Sequence, residues 1–263
     1  NQTNSARVPP TDAAGQETPV TFTSDGGTIR AVLHKSTDAQ HLPGIVFCHG
    51  WSGDRVGPHR IFVKTARSLA AAGFPCLRLD FRGRGDSDGT PETATIRSMI
   101  TDTANAAAYL RSAVCNREVL LLGICSGAKV AIGTAATRKA EAQINGLILW
   151  SPEAMGDLRD ADINRRKTWH NLRSYLRKAL TLATWKKLFR GAVDFRGVQR
   201  AMFRHEAPET SEKEQENTWL TQFRTFKGPL LLIFGSRDPA TRTASRNYAK
   251  FCRSAGLKHQ TKE

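Results

Sequence analysis

Long hydrophobic runs are missing from this 263-residue chain. Its longest apolar stretches are strand-sized, such as Leu120-Leu121-Leu122 and Leu230-Leu231-Leu232-Ile233-Phe234, far short of the roughly 20 residues that a membrane-spanning helix needs. Cysteine is sparse and irregular: Cys48, Cys76, Cys115, Cys125 and Cys252 are widely spaced, odd in number and include no C-x-x-C pair. That argues against both a zinc site and a disulfide framework, and it fits a reducing, cytoplasmic setting. No motif calls for a metal or a cofactor. The stretch from Asn1 to Glu17 is polar and lacks the charged-then-apolar layout of a signal peptide, so residues 1–17 are expected to form a flexible leader or the trimmed end of something longer.

Acidic residues are nearly absent from one region. Between Ile163 and Arg204 there are twelve Lys or Arg against a single acid, Asp194, so this stretch carries most of the formal net charge of +15. Clustered charge implies a partner where diffuse charge does not. The candidates are a small-molecule or acyl substrate that is itself anionic, an acidic acyl carrier or coenzyme A, and an anionic membrane surface. A solvated basic face is the plain alternative. Nucleic acid is disfavoured, because no reader motif accompanies the charge.

Elsewhere the chain alternates strand-like and helix-like segments. Val20 to Phe22 and Ile29 to Leu33 flank the turn-forming Ser24-Asp25-Gly26-Gly27 and predict a hairpin. Strand patterns follow at Gly44 to Cys48, Pro75 to Asp80, Glu118 to Gly123, Ile144 to Trp150, Leu230 to Phe234 and Lys258 to Glu263, with helix patterns between them. This predicts an α/β fold, a mostly parallel sheet with helices on both faces. After Pro152 the pattern turns helical and basic until Phe226, so residues 18–152 and 227–263 are expected to form the core and 153–226 an insertion. Within the insertion, Leu172, Leu176, Ala179, Leu180 and Ala183 recur at helical spacing opposite Arg and Lys. Trp169, Trp185 and Phe189 are candidate pocket-lining residues there, with plain packing onto the core as the alternative.

The most informative segment is Gly123-Ile124-Cys125-Ser126-Gly127, which joins the strand Glu118 to Gly123 to an Ala-rich helix from Lys129 to Arg138. A nucleophile on a sharp strand-to-helix turn needs small residues two positions before and two after it. Gly123 and Gly127 satisfy that for Cys125; for Ser126 the same positions hold Ile124 and Ala128. A thiol at a helix N-terminus gains acidity, and free N–H groups there can hold an oxyanion. A buried, inert cysteine on a glycine-rich bend is the competing reading.

Together with three further segments, this turn resembles the α/β-hydrolase superfamily, in particular its serine aminopeptidase and dienelactone hydrolase-like members, and the resemblance covers nearly the whole chain. His49-Gly50-Trp51-Ser52-Gly53 is similar to the family's HG-type oxyanion segment, Asp80-Phe81-Arg82-Gly83-Arg84-Gly85-Asp86-Ser87 to its D-x-R-G-x-G-x-S loop, and Gly235-Ser236-Arg237-Asp238-Pro239 to the segment bearing its acidic triad member. The resemblance implies that the backbone N–H groups of Trp51 and Ser126 form the oxyanion hole, that Asp238 is the acid, that His49 is a scaffold residue, and that the basic insertion is a lid. Serine is the commoner nucleophile on this fold; dienelactone hydrolases and polyhydroxyalkanoate synthases carry cysteine at the same turn.

The family's general base follows the last strand, and no histidine of this chain matches it. His259 precedes the strand body, His34, His41, His170 and His205 lack motif context, and His59 opens a helix near the HG-type segment. The base is therefore expected beyond Glu263; a catalytically dead relative is the other explanation. The resulting expectation is a carboxylic ester or thioester hydrolase working through a Cys125 acyl-enzyme. The alternatives are an acyltransferase using the same thioester and a non-catalytic binding module.

Overall fold

A computed structural model of the chain describes residues 17–35, 42–92, 94–114, 118–138, 142–158, 210–235 and 239–262. The fold begins as an antiparallel hairpin of β1 (Glu17–Ser24) and β2 (Gly27–His34). The turn residues Asp25 and Gly26 have φ of 43° and 79°. Positive φ at both central positions is what a two-residue type I′ turn requires, and Asp-Gly supplies it with little strain.

The remaining strands are β3 (Gly44–Cys48), β4 (Cys76–Leu79), β5 (Val119–Ile124), β6 (Ile144–Trp150), β7 (Leu230–Ile233) and β8 (His259–Lys262). Among the described residues they form one sheet in the order β1-β2-β4-β3-β5-β6-β7-β8, parallel from β4 to β8. The short apolar runs make sense in this setting, because a parallel strand is covered on both faces. All five residues of β3 are buried, with Ile45 and Phe47 in the core on one side and Val46 and Cys48 in the core on the other. The register pairs Cys48 with Gly123, Ile124 with Trp150 and Trp150 with Ile233. The loops leaving β3, β5, β6 and β7 therefore emerge together at the carboxyl edge, where open α/β sheets place their ligands.

Helix α1 (Ile61–Ala71) covers one face, with Phe62 and Ala66 against Ile45, Phe47, Cys76 and Leu122. The rings of Phe47 and Phe62 meet edge-on at 5.2 Å. Helices α2 (Ile96–Ala113), α3 (Gly127–Thr137), α4 (Thr210–Phe223) and α5 (Pro239–Ser254) contribute Met99, Val130, Trp219 and Tyr248 to the other core. Helix α2 starts from a capping box in which Thr95 and Ser98 satisfy each other's backbone N–H, a local start signal worth about 1 kcal/mol.

Helix α4 departs from the expected division of the chain. Residues 210–226 fall within the 153–226 insertion read from sequence, yet Trp219, Leu220, Phe223 and Phe226 belong to the main core. Buried residues at 216, 219, 220 and 223 repeat at helical spacing, a narrow core-facing stripe hidden within a polar composition. Among the described residues, α4 thus packs into the core and lies between β6 and β7 in the chain. The amphipathic lid helix expected at 172–183 lies outside the described residues, as do Trp169, Trp185 and Phe189. Among the described residues no helix is long and apolar enough to cross a membrane.

Candidate active site

Cys125 sits at the carboxyl end of β5, immediately before α3, with φ of 55°. A non-glycine residue in the left-handed region is uncommon and persists only where its surroundings enforce it. Here they do. The Cys125 N–H donates to the Trp150 carbonyl at 3.1 Å, and its carbonyl accepts from Ala128 at 3.1 Å and Glu153 at 3.2 Å. The two glycines of the turn are required by close approach. A Cβ on Gly123 would strike the backbone of Gly127 and Ala128, and one on Gly127 would strike the Cys48 carbonyl.

Exposure separates Cys125 from the other described cysteines. It is exposed, whereas Cys48, Cys76 and Cys252 are buried. Burial pushes the Cys48 thiol up to about 12 and that of Cys252 to about 11, and raises Cys76 as well. Thiols held protonated in this way are poor nucleophiles.

The Cys125 side of the sheet opens into a cavity of about 1520 Å³. Gly50, Trp51, Cys125, Ser126, Lys129, Glu153 and Gly235 all line it, so segments from the ends of β3, β5, β6 and β7 converge on one space. The Trp51 N–H donates to Ser126 Oγ at 2.7 Å, while the Ser126 N–H makes no hydrogen bond among the described residues. His49 is 1% exposed. Its Nδ1 bonds the Gly50 carbonyl at 2.7 Å and its Nε2 accepts from the Phe81 N–H at 3.3 Å. Its ring lies 4.6 Å from that of Phe81, and burial lowers its pKa. Both nitrogens are engaged in holding the loop from beneath.

A buried carboxylate organises the same loop. Asp80 accepts from the Arg55 and Asp86 N–H groups at 2.7 and 3.0 Å and pairs with the Arg55 guanidinium. Arg78 donates to the Arg55 carbonyl at 2.7 Å and, through Nε, to His34 Nε2 at 2.8 Å. His34 accepts that bond as a neutral ring, since burial pushes its pKa down to about 4. Arg82 of the adjoining turn is tied to Asp102, which also takes the Ser24 hydroxyl at 2.6 Å.

Sequence reading passed over Lys129, the one charged residue of α3. It lies a single helical turn beyond Cys125, is 5% exposed, and pairs with Glu216 at 3.0 Å and Glu153 at 3.5 Å. A lone lysine in an otherwise small and apolar helix is the signal that would have flagged it. Asp238 lies outside the described residues, and so do His41, His170 and His205. His259 opens β8, paired with Leu230 at the end of the sheet remote from Cys125. No histidine is among the described residues lining the cavity. Among the described residues there is no group of three or more His, Cys, Asp or Glu placed to hold a metal.

Comparison with known proteins fixes the kinship of this arrangement. A profile of the alpha/beta hydrolase family matches residues 45–261. The chain belongs to that family. It is 33% identical over 120 residues to the quorum-quenching protein AidA of Acinetobacter baumannii, a match covering 44% of this chain and 38% of the relative. It is 31% identical over 97 residues to the lysophosphatidylserine lipase ABHD12 of Danio rerio, covering 37% of this chain and 24% of the relative. The chain thus spans well under half the length of either. Among solved structures, an esterase of Pyrococcus furiosus superposes with a TM-score of 0.64 at 18% identity, over 98% of this chain and 85% of that one. At that identity the likeness is one of fold.

Proposed function

We propose that this alpha/beta hydrolase family member acts on carboxylic esters or thioesters, with Cys125 Sγ as nucleophile. The thiolate adds to the acyl carbon and the carbonyl π electrons move to oxygen. Collapse of that oxyanion breaks the bond to the alcohol or thiol, which takes up from solvent the proton that the Cys125 thiol gave up on ionising, and the acyl group remains on Cys125 as a thioester for water to cleave. Asp238, which follows β7 in the chain, is in this proposal the carboxylate member of the triad.

The observation that carries the reading is the held left-handed conformation of an exposed Cys125 between β5 and α3, facing a cavity shared with the loops after β3, β6 and β7. The names of the lipase and esterase among the similar proteins support ester hydrolysis in general. A pulse of p-nitrophenyl acetate should release a stoichiometric burst of nitrophenolate from the parent protein and none above background from Cys125→Ala. An undiminished burst from Cys125→Ala would remove Cys125 from the reaction.

A further inference from the structure

The side chain next to the nucleophile stands where only its backbone is expected to matter. In the reading above, an oxyanion would be held by the N–H groups of Trp51 and Ser126. Yet the Trp51 N–H is already directed at Ser126 Oγ, 2.7 Å away. Ser126 is 8% exposed and lines the cavity. Its oxygen packs close to Gly50, where an added Cβ would lie 3.5 Å from it. The hydroxyl, on the residue that caps α3, is therefore held against the loop after β3.

A serine hydroxyl has one proton to give and two lone pairs to receive. Here one lone pair takes the Trp51 N–H, and the proton has no acceptor among the described residues. The Ser126 N–H likewise has no partner among them. Two donors on one residue are left on the wall of the cavity beside Cys125. An accepted hydrogen bond polarises a hydroxyl and makes it a better donor. Among the described residues, neither proton has to be withdrawn from another protein group when an oxyanion forms.

Resting on the acyl-transfer reading of Cys125, we infer that the Ser126 side-chain hydroxyl is itself an oxyanion donor. Its own backbone N–H supplies the second bond, and the Trp51 N–H acts one bond behind, fixing and polarising the hydroxyl. Trp51 is on this account a positioning residue, and the donor set sits on the residue following the nucleophile.

The test exploits two reagents that meet the same sulfur. Iodoacetamide alkylates Cys125 by displacing iodide and forms no oxyanion; p-nitrophenyl acetate acylates it through a tetrahedral oxyanion. The ratio of acylation to alkylation rate constants at Cys125, followed by intact mass, cancels changes in thiol acidity and access. Ser126→Ala should lower that ratio by about tenfold or more, in line with loss of one oxyanion donor, and leave alkylation near the parent rate. Ser126→Thr, which keeps a hydroxyl, should restore most of it. An unchanged ratio in Ser126→Ala, or a Thr variant no better than Ala, overturns the inference. So does a raised ratio, which would mean that the hydroxyl plugs the Trp51 N–H. If Cys125→Ala is modified by both reagents as fast as the parent, it is the nucleophile assignment that fails.

Discussion

Two buried charged networks flank Cys125, and they are built in opposite ways. Around the loops after β3 and β4, Asp80 is fully buried and is neutralised by two backbone N–H groups and by the Arg55 guanidinium. Every partner comes from neighbouring turns within Trp51 to Ser87, and the short range of the bonds fixes the loops before any ligand arrives. On the other side, Lys129 of α3 reaches Glu216 of α4, whose second oxygen accepts from the Gly156 N–H at 2.6 Å. Glu153, 41% exposed, is the looser partner at 3.5 Å. This network joins elements remote in sequence through long side chains, and Lys129 and Glu153 line the cavity wall. The first is a scaffold of backbone donors around one carboxylate; the second is a clamp of side chains.

Breaking each network should expose that difference. Asp80→Ala leaves the Arg55 guanidinium without its most buried partner and frees the Arg55 and Asp86 N–H groups. The expected cost is about 3–5 kcal/mol, read as a fall in Tm on the order of 10 °C. Lys129→Met keeps the volume and leaves Glu216 its bond to the Gly156 N–H, so about 1–3 kcal/mol is expected. Combining it with Glu216→Leu should recover only part of that loss: a buried ion pair is often replaceable by apolar side chains, but the Gly156 N–H loses its acceptor. Chemical denaturation of the single and double variants measures both effects. A double variant as unstable as the sum of the singles would show that Lys129 and Glu216 are not coupled and would erase the contrast.

The sequence made the scaffold visible and left the clamp hidden, for a physical reason. The hairpin, the apolar strands and the Gly123 to Gly127 turn are written in residues a few positions apart, where propensity, glycine sterics and spacing act directly. The loop from Asp80 to Ser87 is legible for the same reason. The Lys129–Glu216 pair depends on α4 crossing over α3, which no local pattern encodes. Helix α4 itself escaped because its buried positions are few among polar residues, so composition outweighed periodicity. The place of Ser126 in the turn implies a backbone role alone, and nothing in the sequence tells that its hydroxyl meets the Trp51 N–H.

All of these features serve one claim, that Cys125 is the atom-bearing nucleophile of the turn. The direct measurement is peptide mapping after a brief p-nitrophenyl acetate pulse and acid quench. The account predicts a single acetyl group on the peptide containing Cys125, located on its sulfur and released by neutral hydroxylamine as a thioester. Acetyl found on Ser126 or Lys129, or none on the peptide while ester is consumed, would contradict it.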